Sequence, residues 1–290
     1  MKRVSKSEIE LEPATKSRGS NKKYQSFFCS PDGTESFTLR FHPISVFLFL
    51  MIIIISYIPA WACLPLTVDD CPPTEKGKVG IETGYSSIKL SNYDGNMTAV
   101  TSIKYGLINN VDVGIDLPYL NYTQTGAQNV SGLADATVKT KINIIPLEDH
   151  FSGLSLTAGA KLSNGDANKG LGSGATDYSI NSILTKELNK LTMHLNLGYT
   201  MIGQVAGQTL RNVMNYGWAF ESPMLAGINL LGEVYGSTNP DPTADLNPLA
   251  ATIGANKEVF SGLTADAGLS VGLNDAAAQN IFMIGLTAEL

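Results

Sequence analysis

The chain has 290 residues, of which 43% are hydrophobic but only 16% charged, with 28 Gly and a net charge of −6. Charged content below the ~25% usual for soluble domains, abundant Gly and no long helical period suit an all-β protein. The charge is divided, with eight Lys/Arg against five Asp/Glu in residues 1–40 and twelve against twenty-one in residues 64–290. An acidic domain lacks the clustered cations that phosphate contacts need, so no nucleic-acid partner is expected.

Taken in chain order, residues 1–40 are polar and aperiodic, and read as a disordered extension or an over-long start. Residues 41–62 read as a signal peptide. Arg40 is the last charge before Asp69, the apolar run Val46–Ile58 has the length of an h-region, and Pro59 leads into Ala60-Trp61-Ala62, a small-x-small cleavage signature. An uncleaved anchor is the alternative, although a transmembrane helix wants about 20 apolar residues. Lipidation of Cys63 is a third option, opposed by the bulk of Trp61. Residues 63–79 are then expected to be a periplasmic N-terminal segment. In an oxidising compartment its Cys63 and Cys71 either pair across a short loop or stay as two thiols.

From Gly80 onward, twelve runs of about ten residues alternate with period two: 80–90, 98–108, 111–122, 134–145, 153–163, 175–187, 190–202, 212–222, 227–237, 249–259, 262–273 and 279–290. An even count of strands of ~9–11 residues is the arithmetic of a single antiparallel outer-membrane β-barrel. The connections alternate too. Short turns such as Asn109-Asn110 and Asn189-Lys190 trade places with longer polar loops at 91–97, 123–133, 164–174, 203–211, 238–248 and 274–278. Short periplasmic turns and long outer loops are expected of such barrels.

The stretch Leu133–Ile144 places Asp135, Lys139 and Lys141 on one side and Ala136, Val138, Ile142 and Ile144 on the other. In a barrel the apolar side meets lipid and the charged side meets the lumen, because a Lys or Arg facing lipid at mid-depth costs roughly 2–4 kcal/mol. The expected lumen-lining residues are Asp135, Lys139, Lys141, Asp177, Glu221, Glu233 and Asp266. Most of these charges are expected to pair with one another and brace the interior. Tyr119, Tyr122 and Tyr199 end strands, while Tyr216, Trp218 and Phe220 share an outward face, as an interfacial girdle would.

A set of motifs in order resembles a known family. Gly132-Leu-Ala-Asp-Ala-Thr-Val-Lys139, Gly172-Ser-Gly-Ala-Thr-Asp-Tyr-Ser179, His194-Leu-Asn-Leu-Gly-Tyr199, Gly232-Glu-Val-Tyr-Gly236 and Asp266–Asp275 resemble strands and turns of the MetA-pathway phenol-degradation proteins, which include putative outer-membrane transporters. The resemblance covers about residues 80–290. It implies a barrel that admits small, often hydrophobic molecules. One departure is the C-terminus, where such barrels usually carry an aromatic residue and this chain has Leu290.

Catalytic chemistry finds little support. Gly170-Leu-Gly-Ser-Gly174 lacks the Lys-Ser/Thr and the helix of a P-loop. The three His, His42, His150 and His194, make no metal-spaced set, so no metal or cofactor is expected. A twelve-stranded lipid hydrolase would need an outward His–Ser pair, and His194 falls on the lumenal parity. The expected function is therefore passage of small molecules across the outer membrane of a Gram-negative bacterium. The expected partners are the lipid bilayer, the outer-membrane insertion machinery and a small solute. A non-conducting barrel with a structural or surface-binding role is the alternative, and a lipid hydrolase stands third.

Overall fold

The structure, a computed structural model, describes residues 64–89, 93–124, 129–147 and 152–290. The N-terminal extension, the apolar segment 41–62, Cys63 and His150 lie outside the described residues. The strands, in order, are β1 (Val79–Lys89), β2 (Tyr93–Ile108), β3 (Val111–Gln124), β4 (Asn129–Leu133), β5 (Thr137–Ile145), β6 (Ser152–Lys161), β7 (Asp177–Leu188), β8 (Leu191–Met201), β9 (Val213–Pro223), β10 (Ile228–Ser237), β11 (Leu249–Phe260), β12 (Leu263–Gly272) and β13 (Asn280–Glu289).

Each strand pairs antiparallel with its neighbours, and β1 pairs with both β2 and β13, which closes the sheet. β4 and β5 both pair with β3, end to end, and so form one stave. The result is a closed barrel of twelve staves, in which the short β4 is paired on one side only. The two chain ends of the wall meet directly: Val79 N–H donates to Leu290 O at 3.0 Å and Leu290 N–H to Val79 O at 2.9 Å. Leu290 thus closes the ladder through its backbone.

Burial is inverted relative to a soluble protein. Leu195, Leu197, Tyr199 and Met201 on β8 are exposed, while His194 and Asn196 between them are buried. On β3, Asp112 and Asp116 are buried while Val113, Leu117 and Tyr119 are exposed. The same parity runs through β12 and β13, where Asp266 and Ser270 are covered and Phe282, Ile284 and Leu286 face outward. Apolar residues outside and polar residues inside is what a lipid-facing wall requires. Two outward aromatics lie over cross-strand glycines, Phe220 on Gly232 and Tyr216 on Gly236, covering sheet that has no side chain of its own.

The structure differs from the sequence expectation in three places. First, β2 and β3 run past the expected limits to Tyr93 and Gln124, and β4 joins them, so the expected loops 91–97 and 123–133 are largely sheet. Second, the expected strand 134–145 is broken at 134–136. Pro118, opposite the break, has no N–H to donate, and Ala134 N–H reaches its carbonyl at 2.9 Å. The pairing moves from Tyr119 with Leu133 to Asp116 with Thr137, one extra residue on the broken stave, as in a bulge. Third, residues 64–74 of the expected periplasmic segment lie inside the barrel. They start beside Gly84, midway along β1, and end beside Asp112 near the short-turn end of β3.

A charge placed on the outward parity should destabilise this wall. Leu195→Arg, near the middle of β8 and 40% exposed in the wild type, is expected to lower the urea-unfolding free energy in lipid vesicles by about 2–4 kcal/mol. No loss would argue against lipid on that face.

Candidate functional site

The lumen is the candidate site, and the N-terminal segment organises it. Its backbone is irregular, so its N–H and C=O groups need partners other than a strand. Pro65, Pro72 and Pro73 remove three N–H donors from that requirement. Glu233 Oε2 accepts from Thr67 N–H at 2.8 Å and from Val68 N–H at 3.0 Å, and its Oε1 accepts from Thr252 Oγ1 at 2.9 Å. Thr185 Oγ1 accepts from Cys71 N–H at 3.0 Å and contacts His194 Nδ1 at 2.9 Å. Ser155 Oγ donates to Cys71 O at 2.6 Å, and Asn143 Nδ2 donates to the same oxygen at 3.3 Å. Thr74 N–H donates to Asp112 Oδ2 at 2.8 Å.

Lys141 is the main ionic contact. Its Nζ lies 3.1 Å from Asp69 Oδ1 and 3.3 Å from Asp70 Oδ1, and donates to the carbonyls of Asp70 at 2.9 Å and Pro72 at 3.3 Å. Close packing completes the fit. Leu64 sits over Gly84, Pro65 over Gly254 and Gly268, Val68 over Gly217 and Cys71 over Gly153. A Cβ at any of these inward glycines would collide with the segment. Cys71 is a free, buried thiol.

Above the segment, toward the longer loops, lies a cavity of about 200 Å³. Leu64, Leu66 and Thr67 line it from the segment side. One part of its lining is apolar, with Ile88, Ile281 and Met283 packed together against Leu64. Another part carries Asp135, Lys161 and Asp177. Lys161 Nζ lies 3.1 Å from Asp135 Oδ2 and 3.2 Å from Asp177 Oδ2.

Asp135 stands in the break between β4 and β5, and its carboxylate accepts from the N–H groups of Gly165 and Ser173, both at 2.8 Å. It therefore pins the loop after β6 over the lumen, where Leu171 is buried against Gly132. In the same loop Asp166 caps a short turn through Asn168 N–H, and the Lys169 ammonium 3.1 Å away holds its carboxyl below the usual range.

The seven residues expected to line the lumen have different surroundings. Asp135, Asp177 and Lys161 tie loops to the wall, with Asp177 Oδ1 accepting from Gly203 N–H at 2.8 Å. Lys139 pairs with Asp116 at 2.8 Å. Lys141 and Glu233 hold the N-terminal segment. Glu221 faces Asn256 and Asn229 nearer the short-turn end. Asp266 makes no hydrogen bond among the described residues. Sequence reasoning missed Ser155, Asn143, Thr185 and Asp112 as partners of the segment. The available signal was the recurrence of Gly at inward positions, where a barrel interior usually carries a side chain. Among the described residues no group of three or more His, Cys, Asp or Glu is placed to hold a metal.

Comparisons with known proteins follow this geometry. The sequence profile of the family described as "Putative MetA-pathway of phenol degradation" matches residues 77–287. No match was found among curated proteins. Among solved structures, the COG4313 outer membrane channel from Pseudomonas putida F1 is similar, with 13% identity, a TM-score of 0.62, and coverage of 76% of this chain and 98% of that one. The NanC porin shares 13% identity with a TM-score of 0.51, covering 73% of this chain and 100% of that one. The KdgM porin in complex with oligogalacturonate shares 8% identity with a TM-score of 0.50, covering 72% and 98%. At these identities the likeness is one of fold.

Removing the Asp135 anchor should free the loop after β6. In Asp135→Ala, tryptic cleavage after Lys169 in the folded barrel, followed by mass spectrometry, is expected to quicken tenfold or more. That corresponds to a loss of about 1.4 kcal/mol of local protection. An unchanged rate would show that the loop is held by other contacts.

Proposed function

We propose, because the chain belongs to the family described as "Putative MetA-pathway of phenol degradation", that this barrel passes small, largely apolar molecules across the outer membrane. The observation that carries the reading is the cavity above the N-terminal segment, with an apolar cluster and a charged triad in one lining. Its volume of about 200 Å³ lies below the ~300–1,000 Å³ of drug-sized pockets. It suits a solute of about one ring. The apolar cluster would take the body of such a molecule, and the Lys161–Asp135–Asp177 group would take a hydroxyl or similar polar substituent. No residue is assigned a catalytic role in this reading.

The lower lumen is occupied by the segment, so transit requires that the segment move. Its contacts are side-chain hydrogen bonds and one group of ion pairs, not a continuous ladder. Such a segment can leave as a unit while the wall stays intact. The occupied lumen is also the observation that favours the second reading, a non-conducting barrel that binds its ligand from the outer side.

Single-channel recording separates the two. Wild-type protein in a planar bilayer is expected to show brief, rare openings. The double variant Lys141→Met/Glu233→Gln, with the segment unclamped, is expected to raise the open probability at least tenfold. Silence from both proteins, each still migrating as a folded barrel on an unheated gel, would contradict passage through the lumen and leave the binding role.

A further inference from the structure

The cavity above the N-terminal segment has a one-sided polar lining. Among the described residues, its lining holds four carboxylates, Glu82, Asp116, Asp135 and Asp177, and one ammonium, Lys161. Glu82 and Asp116 are matched by other cations, Lys104 at 2.7 Å and Lys139 at 2.8 Å. Asp135 and Asp177 share Lys161, so this part of the wall keeps a negative charge in excess.

The charged donor of the lining is spent. An ammonium has three N–H groups and no more. Those of Lys161 go to Asp135 Oδ2 at 3.1 Å, to Ser173 Oγ, and to the carbonyl of Ala175 at 3.3 Å. An acceptor remains. Asp177 Oδ1 accepts from Gly203 N–H at 2.8 Å, which fixes the carboxylate. Asp177 Oδ2 is buried with the Lys161 ammonium 3.2 Å away, yet it takes no hydrogen bond among the described residues. The ammonium offsets its charge but has no N–H left to give it. A buried carboxylate oxygen without a donor is costly, and natural folds seldom leave one so.

We propose that Asp177 takes the hydrogen bond of the solute, so that the cavity selects neutral rings carrying an O–H or N–H donor. This rests on the reading, common to passage and to binding, that the cavity holds a solute. A donor on the ring completes the Asp177 carboxylate, and the cluster of Ile88, Ile281 and Met283 takes the body of the ring. An ether of the same shape brings a second acceptor and leaves the carboxylate unpaired, which costs binding. A ring bearing a carboxylate meets four acidic side chains and a lysine whose N–H groups are all engaged. A ring bearing an ammonium meets Lys161 as a like charge. Asp177 is thus a specificity-determining residue that reads a donor, not polarity in general.

Three fluorinated probes test the rule on the full chain, exported, purified from a bacterial outer membrane and placed in lipid nanodiscs. They are 4-fluorobenzyl alcohol, its methyl ether, and 4-fluorobenzoate, which is ionised at pH 7. Titration followed by ¹⁹F NMR gives a Kd for each, with empty nanodiscs correcting for partition into lipid. The alcohol is expected to bind at least about tenfold more tightly than the ether and the benzoate. Asp177→Asn keeps an oxygen for Gly203 N–H and puts an amide NH₂ in place of Oδ2. In that variant the advantage of the alcohol over the ether is expected to fall to about threefold or less. If Asp177→Asn fails to fold, the wild-type ratios decide alone. Equal affinities for alcohol and ether, or tighter binding of the benzoate, would overturn the proposal while leaving the cavity as a solute site. An alcohol preference that survives in folded Asp177→Asn would overturn the role of Asp177. Binding of none of the three would overturn the solute site itself, and the proposal with it.

Discussion

The structure depends on one constraint: an irregular stretch of backbone is enclosed by a wall whose own main-chain groups are already paired. Most of the hydrogen bonds that tie the N-terminal segment to the wall therefore come from inward side chains. Glu233, Thr185, Ser155, Asn143, Asp112 and Lys141 supply them from β10, β7, β6, β5 and β3. In a soluble protein these positions would be apolar core. Here the outer face meets lipid, the inner face is free to be polar, and the polar side chains act as the partners a neighbouring strand would otherwise be.

That arrangement divides the lumen into two halves with different properties. Where the segment runs, the wall recedes to glycine and the contacts are short and specific. Above it, the wall carries ordinary side chains and leaves a cavity with an apolar part and a charged part. Ion pairs in such a setting give little net stability, because desolvation offsets most of the Coulomb gain. Their value here is positional. Lys161 joins the break in the fourth stave to the start of β7, and Lys141 ties two acidic residues and two carbonyls of the segment to β5. Losing one partner would leave a buried charge alone, so each pair favours one arrangement of loop and segment over the alternatives.

Much of the wall was legible in the sequence. The twelve staves follow from the alternation of residues such as Thr192, His194 and Asn196 with Met193, Leu195 and Leu197, because lipid and lumen impose opposite demands on successive positions. The break at 134–136 was not legible. It depends on Pro118 lying opposite it, and that is a fact of register which alternation within one strand cannot show. The segment was not legible either. Residues 64–74 have no period, three prolines and partners spread over more than 180 positions of sequence. What the sequence did carry was a footprint: Gly84, Gly153, Gly217, Gly254 and Gly268 all fall on the inward parity. Read together, they mark a path for another piece of chain. Parity within a strand says nothing of the separate duties of the inward charges, as loop anchor or clamp, which come only from which residues meet across the barrel.

The central claim is that the N-terminal segment sits in the lumen in one register, and a cross-link tests it most directly. Cys71 Sγ lies 3.1 Å from Ser155 Oγ on β6. Ser155→Cys should therefore form a disulfide with the native Cys71 on mild oxidation of the folded barrel in vesicles, identified as a linked 71–155 peptide by mass spectrometry. A free Cys71 that instead reacts at once with a water-soluble maleimide, in protein that still migrates as a folded barrel, would place the segment outside the lumen and contradict the account.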